Sequence, residues 1–316
     1  MKERILSASR IKTLETCSWS YWCSYHLKIP QAQNHGAIRG TICHLIFELL
    51  LKKRHKKHFT AIMKACAASG SPAIDRLIRK HLFEQKAFTE ENLEMIDNMV
   101  WIGLNNDFFG EGGKVGEPEK EFLLESAEPK YKIKGFMDKL ISYGKTELKI
   151  VDYKSSKVKF KGEELTANIQ AMTYTLAALK EWPKLKKVVV EFLFLRFPRA
   201  PVQQAEISKE QLGGFEYYLE HVFKIINKFD ERAAKTNYAA LSDKNKWLCK
   251  AGKTWRCPYL DPKDFFALVD KEGETLQTSF ENNFKIKEGQ KVESRRYEGC
   301  PAHAKSTVKA VDDFDF

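Results

Sequence analysis

Residues 131–157 read YKIKGFMDKLISYGKTELKIVDYKSSK, and the fold turns on how this stretch pairs with itself. Apolar and polar residues alternate on both sides of Gly144. This predicts a β-hairpin, with a first strand at about Lys132–Ser142 and a second at about Leu148–Lys154. Residues two apart on a strand share a face. Asp152 and Lys154 can therefore serve one site, and Asp138 faces them if the strands pair. Two carboxylates and an ammonium on one sheet face are costly to bring together unless something gathers them. A divalent cation does so, because Mg2+ and Mn2+ take hard carboxylate oxygens. The lysine can then polarise a water or stabilise developing negative charge.

Working outward, Glu119–Glu125 (EKEFLLE) predicts a strand before the hairpin, and about Glu163–Glu181 predicts a helix after it. Gln170 and Tyr174 are four apart on that helix and share a face, and Pro183 ends it. Lys187–Phe197 is a near-continuous apolar run, as expected of a central strand covered on both faces. Ser208–Phe229 predicts an amphipathic helix. On the N-terminal side, residues 34–51 read NHGAIRGTICHLIFELLL. Gly36 and Gly40 permit close approach or a turn, and a strongly apolar helix follows. His44 and Glu48 share one face of it. A lone histidine on an apolar helix is ordinarily a core residue with one hydrogen bond, and it becomes a metal ligand only in company. The run KKRHKKH at 52–58 reads as a solvated helix end, with a phosphate-backbone contact as the alternative. Residues 60–108 read as helical, with Ile78, Leu82, Met95, Met99 and Ile102 at helical spacing, and FGEGGKVGEP at 109–118 closes this helical insertion as a loop.

The two ends differ in character from the middle. Ser9 is placed to cap a helix starting at Arg10, and Trp19, Tyr21, Trp22 and Tyr25 make residues 1–30 unusually aromatic. Packing on a neighbouring lobe accounts for these rings better than base stacking does. Between 237 and 303 lie Cys249, Cys257 and Cys300, among Trp247, Trp255, Pro258, Tyr259, Pro301 and His303. The stretch Asp264–Tyr297 between the last two cysteines is polar and is expected to be irregular. The final residues, AVDDFDF, are expected to be disordered in isolation.

At 316 residues and 43% apolar content the chain can bury one large core and an appended lobe. It contains no apolar run long enough for a transmembrane helix, and its first residues lack a signal-peptide core. A cytosolic protein is expected. A net charge of +11 and a pI near 9.1 favour a polyanionic partner, nucleic acid before membrane. Seven cysteines without a secretion signal favour thiols or metal ligands over disulfides. Cys43 and Cys66 read as core residues.

Four segments in order carry a resemblance: G-T-I-C-H at Gly40–His44, G-F-M-D at Gly135–Asp138, D-Y-K at Asp152–Lys154 and Q-A-M-T-Y at Gln170–Tyr174. Together they resemble the RecB-like branch of the PD-(D/E)XK nuclease superfamily, which includes AddB-type and CRISPR-adaptation exonucleases, over about residues 7–303. The resemblance implies an α/β restriction-endonuclease-like core sheet flanked by helices, a helical insertion and a Cys-rich, metal-stapled C-terminal lobe. On that pattern 1–36 is an N-terminal segment contributing a cluster cysteine, and 37–118 is the helical region with the His motif. The nuclease core is 119–235, the Cys-rich lobe 236–305 and the acidic-aromatic tail 306–316.

The implied activity is metal-dependent hydrolysis of DNA phosphodiester bonds, by an exonuclease on single-stranded ends, in recombination, repair or replication. The alternative is a nuclease-shaped DNA-binding or scaffold subunit of a helicase–nuclease or CRISPR-adaptation complex. The implied metal ligands for Mg2+ or Mn2+ are His44, Asp138, Asp152 and the Tyr153 carbonyl, with Lys154 catalytic beside Asp138 and Asp152. Gln170 and Tyr174 orient the lysine or touch DNA, and Glu121 sits where some members carry an extra carboxylate. Cys17, Cys249, Cys257 and Cys300 match the four ligands of a [4Fe–4S] cluster, with Cys23 as a substitute for Cys17. Their wider spacing leaves a zinc site of Cys249, Cys257, Cys300 and His303 as the rival. DNA, single-stranded by the same likeness, is the implied partner. The tail residues Asp312, Asp313, Phe314, Asp315 and Phe316 are either a floppy end, a mimic of single-stranded DNA or a dock for a replication or recombination protein. The implied setting is the cytoplasm of a bacterium, an archaeon or a phage-infected host, with no membrane.

Overall fold

The computed structural model describes residues 3–31, 34–251 and 255–303. The chain opens with two short helices, α1 (Ala8–Thr16) and α2 (Ser18–Tyr25). Ser9 therefore lies inside α1 and does not cap it, and its carbonyl accepts from the Thr13 hydroxyl at 2.8 Å. Cys17 takes the capping place on α2, where its Sγ accepts from the Ser20 N–H at 3.4 Å.

Next come α3 (His35–Leu51), α4 (Lys56–Ala65), α5 (Pro72–Glu84) and α6 (Glu90–Leu104). Asn34 caps α3, accepting from the Ala37 N–H at 2.8 Å, so Gly36 and Gly40 sit within the helix and make no turn. Apolar residues at helical spacing, among them Ile42, Ile46, Leu50, Ile62, Ile78, Leu82 and Met99, merge into one buried cluster with Ile141, Val151, Leu193 and Leu195 of the sheet. Cys43 belongs to this core. Cys66 does not: it is exposed, at the left-handed position (φ +54°) that ends α4.

The strands are β1 (Lys114–Val115), β2 (Lys120–Ser126), β3 (Tyr131–Met137), β4 (Lys139–Tyr143) and β5 (Glu147–Lys154). After them come α7 (Glu163–Thr166), α8 (Ile169–Glu181), β6 (Lys187–Phe194), β7 (Val202–Ala205) and α9 (Lys209–Asn227). A mixed sheet of order β1-β4-β5-β6-β7 forms, in which β5 and β6 are parallel and β4 is antiparallel to β5. Gly144 (φ +67°) makes the turn between β4 and β5. The predicted first hairpin strand is in fact two. It breaks at Asp138: β3 pairs with β2 in a separate ribbon, and only β4 continues into the main sheet. The single helix expected over Glu163–Glu181 is likewise two, because Asn168 restarts it. Its side chain accepts from the N–H groups of Gln170 (3.0 Å) and Ala171 (3.1 Å), a cap of about 1 kcal/mol.

The remaining elements are α10 (Glu231–Ala234), a short ribbon of β8 (Lys250–Ala251) and β9 (Trp255–Arg256), and a three-stranded antiparallel sheet. That sheet orders β10 (Lys263–Val269), β11 (Thr275–Ser279) and β12 (Lys291–Tyr297) as β11-β10-β12. The stretch expected to be irregular is therefore mostly sheet, with Phe265, Ala267 and Val269 buried at period two. The chain divides into two compact units, the first of Met1–Ala8 and Gln33–Ile225, the second of Ser9–Ala32 and Ile226–Phe316. Within the second, Trp19 and Tyr21 are buried. Trp19 Nε1 donates to the Tyr297 hydroxyl (2.8 Å), Ser18 Oγ donates to the Ala234 carbonyl (2.8 Å), and the Tyr21 and Phe229 rings meet edge to face at 5.0 Å. The acidic-aromatic tail lies outside the described residues. No helix among the described residues is long and apolar enough to cross a membrane.

Candidate active site

The break at Asp138 is what makes a site. The residue belongs to neither strand, so its side chain is free of the sheet alternation and turns toward β5, where its Oδ2 accepts from the Tyr153 N–H at 2.8 Å. Gly135 sets up this corner from the ribbon. It lies opposite Phe122, whose ring stands within 2.7 Å of where a Cβ would be, so only glycine fits. The same ring meets Tyr174 of α8 edge-on at 6.1 Å. Along β5, Tyr153 points to the α3 face, its ring tilted against Phe47 at 4.3 Å, while its carbonyl meets His44 Nε2 at 3.0 Å. Asp152 and Lys154 point the other way, toward α8.

Two clusters result, joined by the backbone of Asp152–Tyr153. In the first, His44 Nδ1 lies 3.4 Å from Asp138 Oδ2 and 3.8 Å from Glu119 Oε1. One ligand atom from each of these three residues falls within 4.8 Å of the others. In the second, Lys154 Nζ lies 2.6 Å from Asp152 Oδ2 and donates to Gln170 Oε1 at 2.6 Å. Gln170 Nε2 donates to Asp152 Oδ1 and to the Tyr174 hydroxyl, each at 2.6 Å, and that hydroxyl donates to Asp152 Oδ1 at 3.0 Å. The Asn168 cap explains why Gln170 reaches back: it holds the first turn of α8 against the end of β5. An open cleft of about 520 Å3, lined by Gly40, Thr41, His44, Leu45, Glu48 and Glu119, leads to the first cluster.

Charge is confined here at a cost. Asp138 and Asp152 are only 8% and 2% exposed. Burial and the neighbouring Asp152 charge push the Asp138 carboxyl up from its ordinary range. Burial works against charge on His44, yet the nearby Asp138 and Glu119 carboxylates outweigh it and raise the imidazole to about 10. Three carboxyl groups thus crowd one imidazole and one ammonium, a surplus of acidic groups that suits a divalent cation. Asp152 Oδ2 gives a second indication. It is buried, and although the Lys154 ammonium stands close by, it accepts no aligned hydrogen bond. The donor set of carboxylates, a peptide carbonyl and one imidazole fits Mg2+ or Mn2+ chemistry.

All the predicted residues of this site converge except Glu121, which is exposed on the outer face of the ribbon opposite Phe136. Glu119 occupies the place instead. It precedes β2 with φ +52°, and its N–H donates to the Asp138 carbonyl at 3.1 Å. Such a left-handed backbone is uncommon for glutamate, and nothing in the local pattern reveals it. In the second unit, Cys249 and Cys257 are linked by the Cys257 N–H donating to the Cys249 carbonyl at 3.0 Å. Cys17, Cys257 and Cys249 each raise the Cys300 thiol beyond the larger effect of its burial, to about 11. Cys23 is fully buried, and burial pushes its thiol up to about 12, while its Sγ donates to the Tyr297 hydroxyl at 3.6 Å. His303 is exposed.

Comparison with known proteins adds a family. The model of the PD-(D/E)XK nuclease superfamily matches residues 5–261. Among solved structures, a candidate exonuclease from Eubacterium rectale is similar at 12% identity and TM-score 0.47, over 77% of this chain and 88% of that one. The protein SSO0001 is similar at 14% identity and TM-score 0.28, over 68% of this chain and 87% of that one. No curated protein matches the sequence.

Proposed function

The chain belongs to the PD-(D/E)XK nuclease superfamily, and on that premise we propose that it is a metal-dependent exonuclease of the RecB-like branch acting on single-stranded DNA ends. The observation that carries the reading is the junction at the end of β5, where His44 of α3, Asp152 and Lys154 of β5, Gln170 of α8 and Asp138 at the break between β3 and β4 are joined by hydrogen bonds and ion pairs. We assign His44, Asp138, Asp152 and the Tyr153 carbonyl to hold Mg2+ or Mn2+, and add Glu119. A bound divalent ion of this kind supplies Lewis-acid polarisation of a phosphate and a water acidified toward neutrality.

The chain's own groups do the rest. Lys154 is fixed by two partners, so its ammonium points one way before substrate arrives and can donate to charge developing on a scissile phosphate. Gln170 and Tyr174 are positioning residues, since they hold Asp152 and Lys154 and so set their separation. A His-bearing helix ahead of the sheet and a Gln/Tyr-bearing helix behind β5 support the RecB-like assignment. From that assignment we draw the single-strand preference and the setting of recombination or repair. The test is end-labelled single- and double-stranded DNA incubated with Mg2+, Mn2+ or chelator, beside Asp152→Ala. Metal-dependent release of nucleotides from single-stranded ends is expected. Binding without cleavage under every metal condition would instead favour a scaffold subunit.

For the second unit we propose that Cys17, Cys249, Cys257 and Cys300 hold a [4Fe–4S] cluster. The mutual electrostatic influence of these thiols supports their convergence. Zinc, with Zn–S bonds of about 2.3 Å, needs its thiolates within roughly 4 Å of one another. Among the described residues no three cysteine or histidine ligand atoms come within 4.8 Å. A cluster, whose thiolates bind separate irons, tolerates wider spacing.

A further inference from the structure

The cleft beside His44 does not end at the metal-binding cluster. Gly40, His44 and Glu48 follow one another at four-residue intervals on one face of α3 and line the cleft, and Lys52 follows at the helix's C-terminal cap. Glu48, which would otherwise repel a phosphate at the far end, is paired with Lys52 at 2.7 Å. Beyond it the chain presents Lys53, Arg54, Lys56 and Lys57, all exposed. This run is not on a slack loop. Residues Lys53–His55 form a tight helical turn leading directly into α4, which is anchored in the core by Ile62 and packed there through Phe59. Arg54 Nε donates to His55 Nε2 at 3.0 Å. Together with slight burial, the cations around His55 hold that imidazole below its ordinary range, so the patch is electropositive as assembled.

We infer that Lys53, Arg54, Lys56 and Lys57 form a phosphate-binding track that grips the nucleic-acid backbone upstream or downstream of the bond positioned at His44. The inference rests on the nuclease reading above and extends it to how substrate is held. Seven helical steps separate His44 from the end of α3 at Leu51, about 10 Å at 1.5 Å per residue. That is about three nucleotide steps at the 3.4 Å axial rise of a stacked strand. Substrates long enough to span this distance gain affinity from the track, and a dinucleotide does not reach it.

The experiment compares wild type with the fourfold variant Lys53→Gln, Arg54→Gln, Lys56→Gln, Lys57→Gln. A control variant of equal charge carries Lys145→Gln, Lys184→Gln, Lys186→Gln, Lys187→Gln at the opposite end of β5 and β6. Binding of a fluorescent single-stranded oligonucleotide and of a dinucleotide is measured in chelator across a salt series, so that no turnover is needed. The track predicts that oligonucleotide affinity falls roughly tenfold or more, and that the salt slope shrinks by about 2.8 for four single-strand contacts. It also predicts that the affinity advantage of oligonucleotide over dinucleotide collapses in the first variant and persists in the control. Equal losses in the two variants, or an unchanged advantage in the first, overturn the inference. Cleavage is scored separately in Mg2+: a wild type that binds with this length dependence yet cuts nothing sinks the nuclease reading and leaves the track standing.

Discussion

Replacing Gly40 by alanine tests how closely α3 must approach β5 for the site to work. A Cβ at Gly40 would stand 2.7 Å from Ser155 Oγ and 3.3 Å from Ser155 Cβ, against an ordinary contact limit of 3.4 Å. The hydroxyl must turn away or the helix must back off by up to about 0.7 Å, the difference between 3.4 and 2.7. Overpacking of this kind costs about 1–3 kcal/mol, while alanine in place of a helical glycine returns about 1 kcal/mol. Stability should therefore change by no more than about 2 kcal/mol. Activity should suffer more. His44 lies one turn further along the same helix, 3.0 Å from the Tyr153 carbonyl, and a displacement near 1 Å at a reacting centre costs about a hundredfold. Single-turnover cleavage of end-labelled DNA across a Mn2+ titration should show a rate down by roughly tenfold to a hundredfold with a weakened metal midpoint. Adding Ser155→Gly should restore both. A single variant with the wild-type rate and metal midpoint, or a double variant no better than the single, would refute the argument that this contact sets the site.

Other consequences follow from the same geometry. Lys154→Ala should keep DNA binding and lose nearly all cleavage, a loss of at least roughly a hundredfold; normal turnover would remove Lys154 from the mechanism. Gln170→Ala should lower the maximal rate with little change in oligonucleotide affinity, and a change in affinity alone would mark Gln170 as a substrate contact. Cys300→Ser should abolish visible absorbance and iron content in anaerobically prepared protein. An unaltered spectrum, or zinc in place of iron, would reject the cluster. Glu216 is half-buried, which opposes its charge, but the Lys180 ammonium and the Tyr131 hydroxyl hold its carboxyl below the usual range. A depressed carboxylate contributes stability above its unfolded pKa of about 4.3 and loses it as the pH falls through the folded value. The melting-temperature gap between wild type and Glu216→Gln should therefore be full at neutral pH and shrink below about pH 4. A gap that stays constant in acid would show that the pair contributes nothing electrostatic.

The parts of this architecture that the sequence discloses are those whose burial is one-sided or complete. The alternation around Gly144 and the unbroken apolar run of β6 each follow from where their faces go, and alternation puts Asp152 and Lys154 on one face, whereas the roles expected of His44, Gln170 and Tyr174 come from the motif resemblance. The break at Asp138 was not legible, because alternation continues through it: Met137 and Lys139 flank it as a strand would, yet Lys139 is buried with its ammonium donating to the Asp107 and Phe108 carbonyls at 3.2 and 3.3 Å. Glu119 escaped because its reach depends on a left-handed backbone that glutamate rarely adopts. Sheet β10–β12 was hidden because only β10 carries an apolar run, Phe265–Val269, while its partners β11 (TLQTS) and β12 (KVESRRY) are mostly polar and leave most positions half-buried or exposed. Cys66 was misplaced because a short helix ends there, turning a position at core spacing outward.

The second unit draws residues from both ends of the polypeptide. On a ribosome, residues 9–31 emerge roughly two hundred positions before the partners they need, a wait of about 10–40 s at ordinary elongation rates. Throughout that interval Trp19, Tyr21 and Trp22 have no native shelter, whereas the segment that builds the catalytic sheet is released in one continuous piece. The aromatic helices are therefore made early and find their packing partners late.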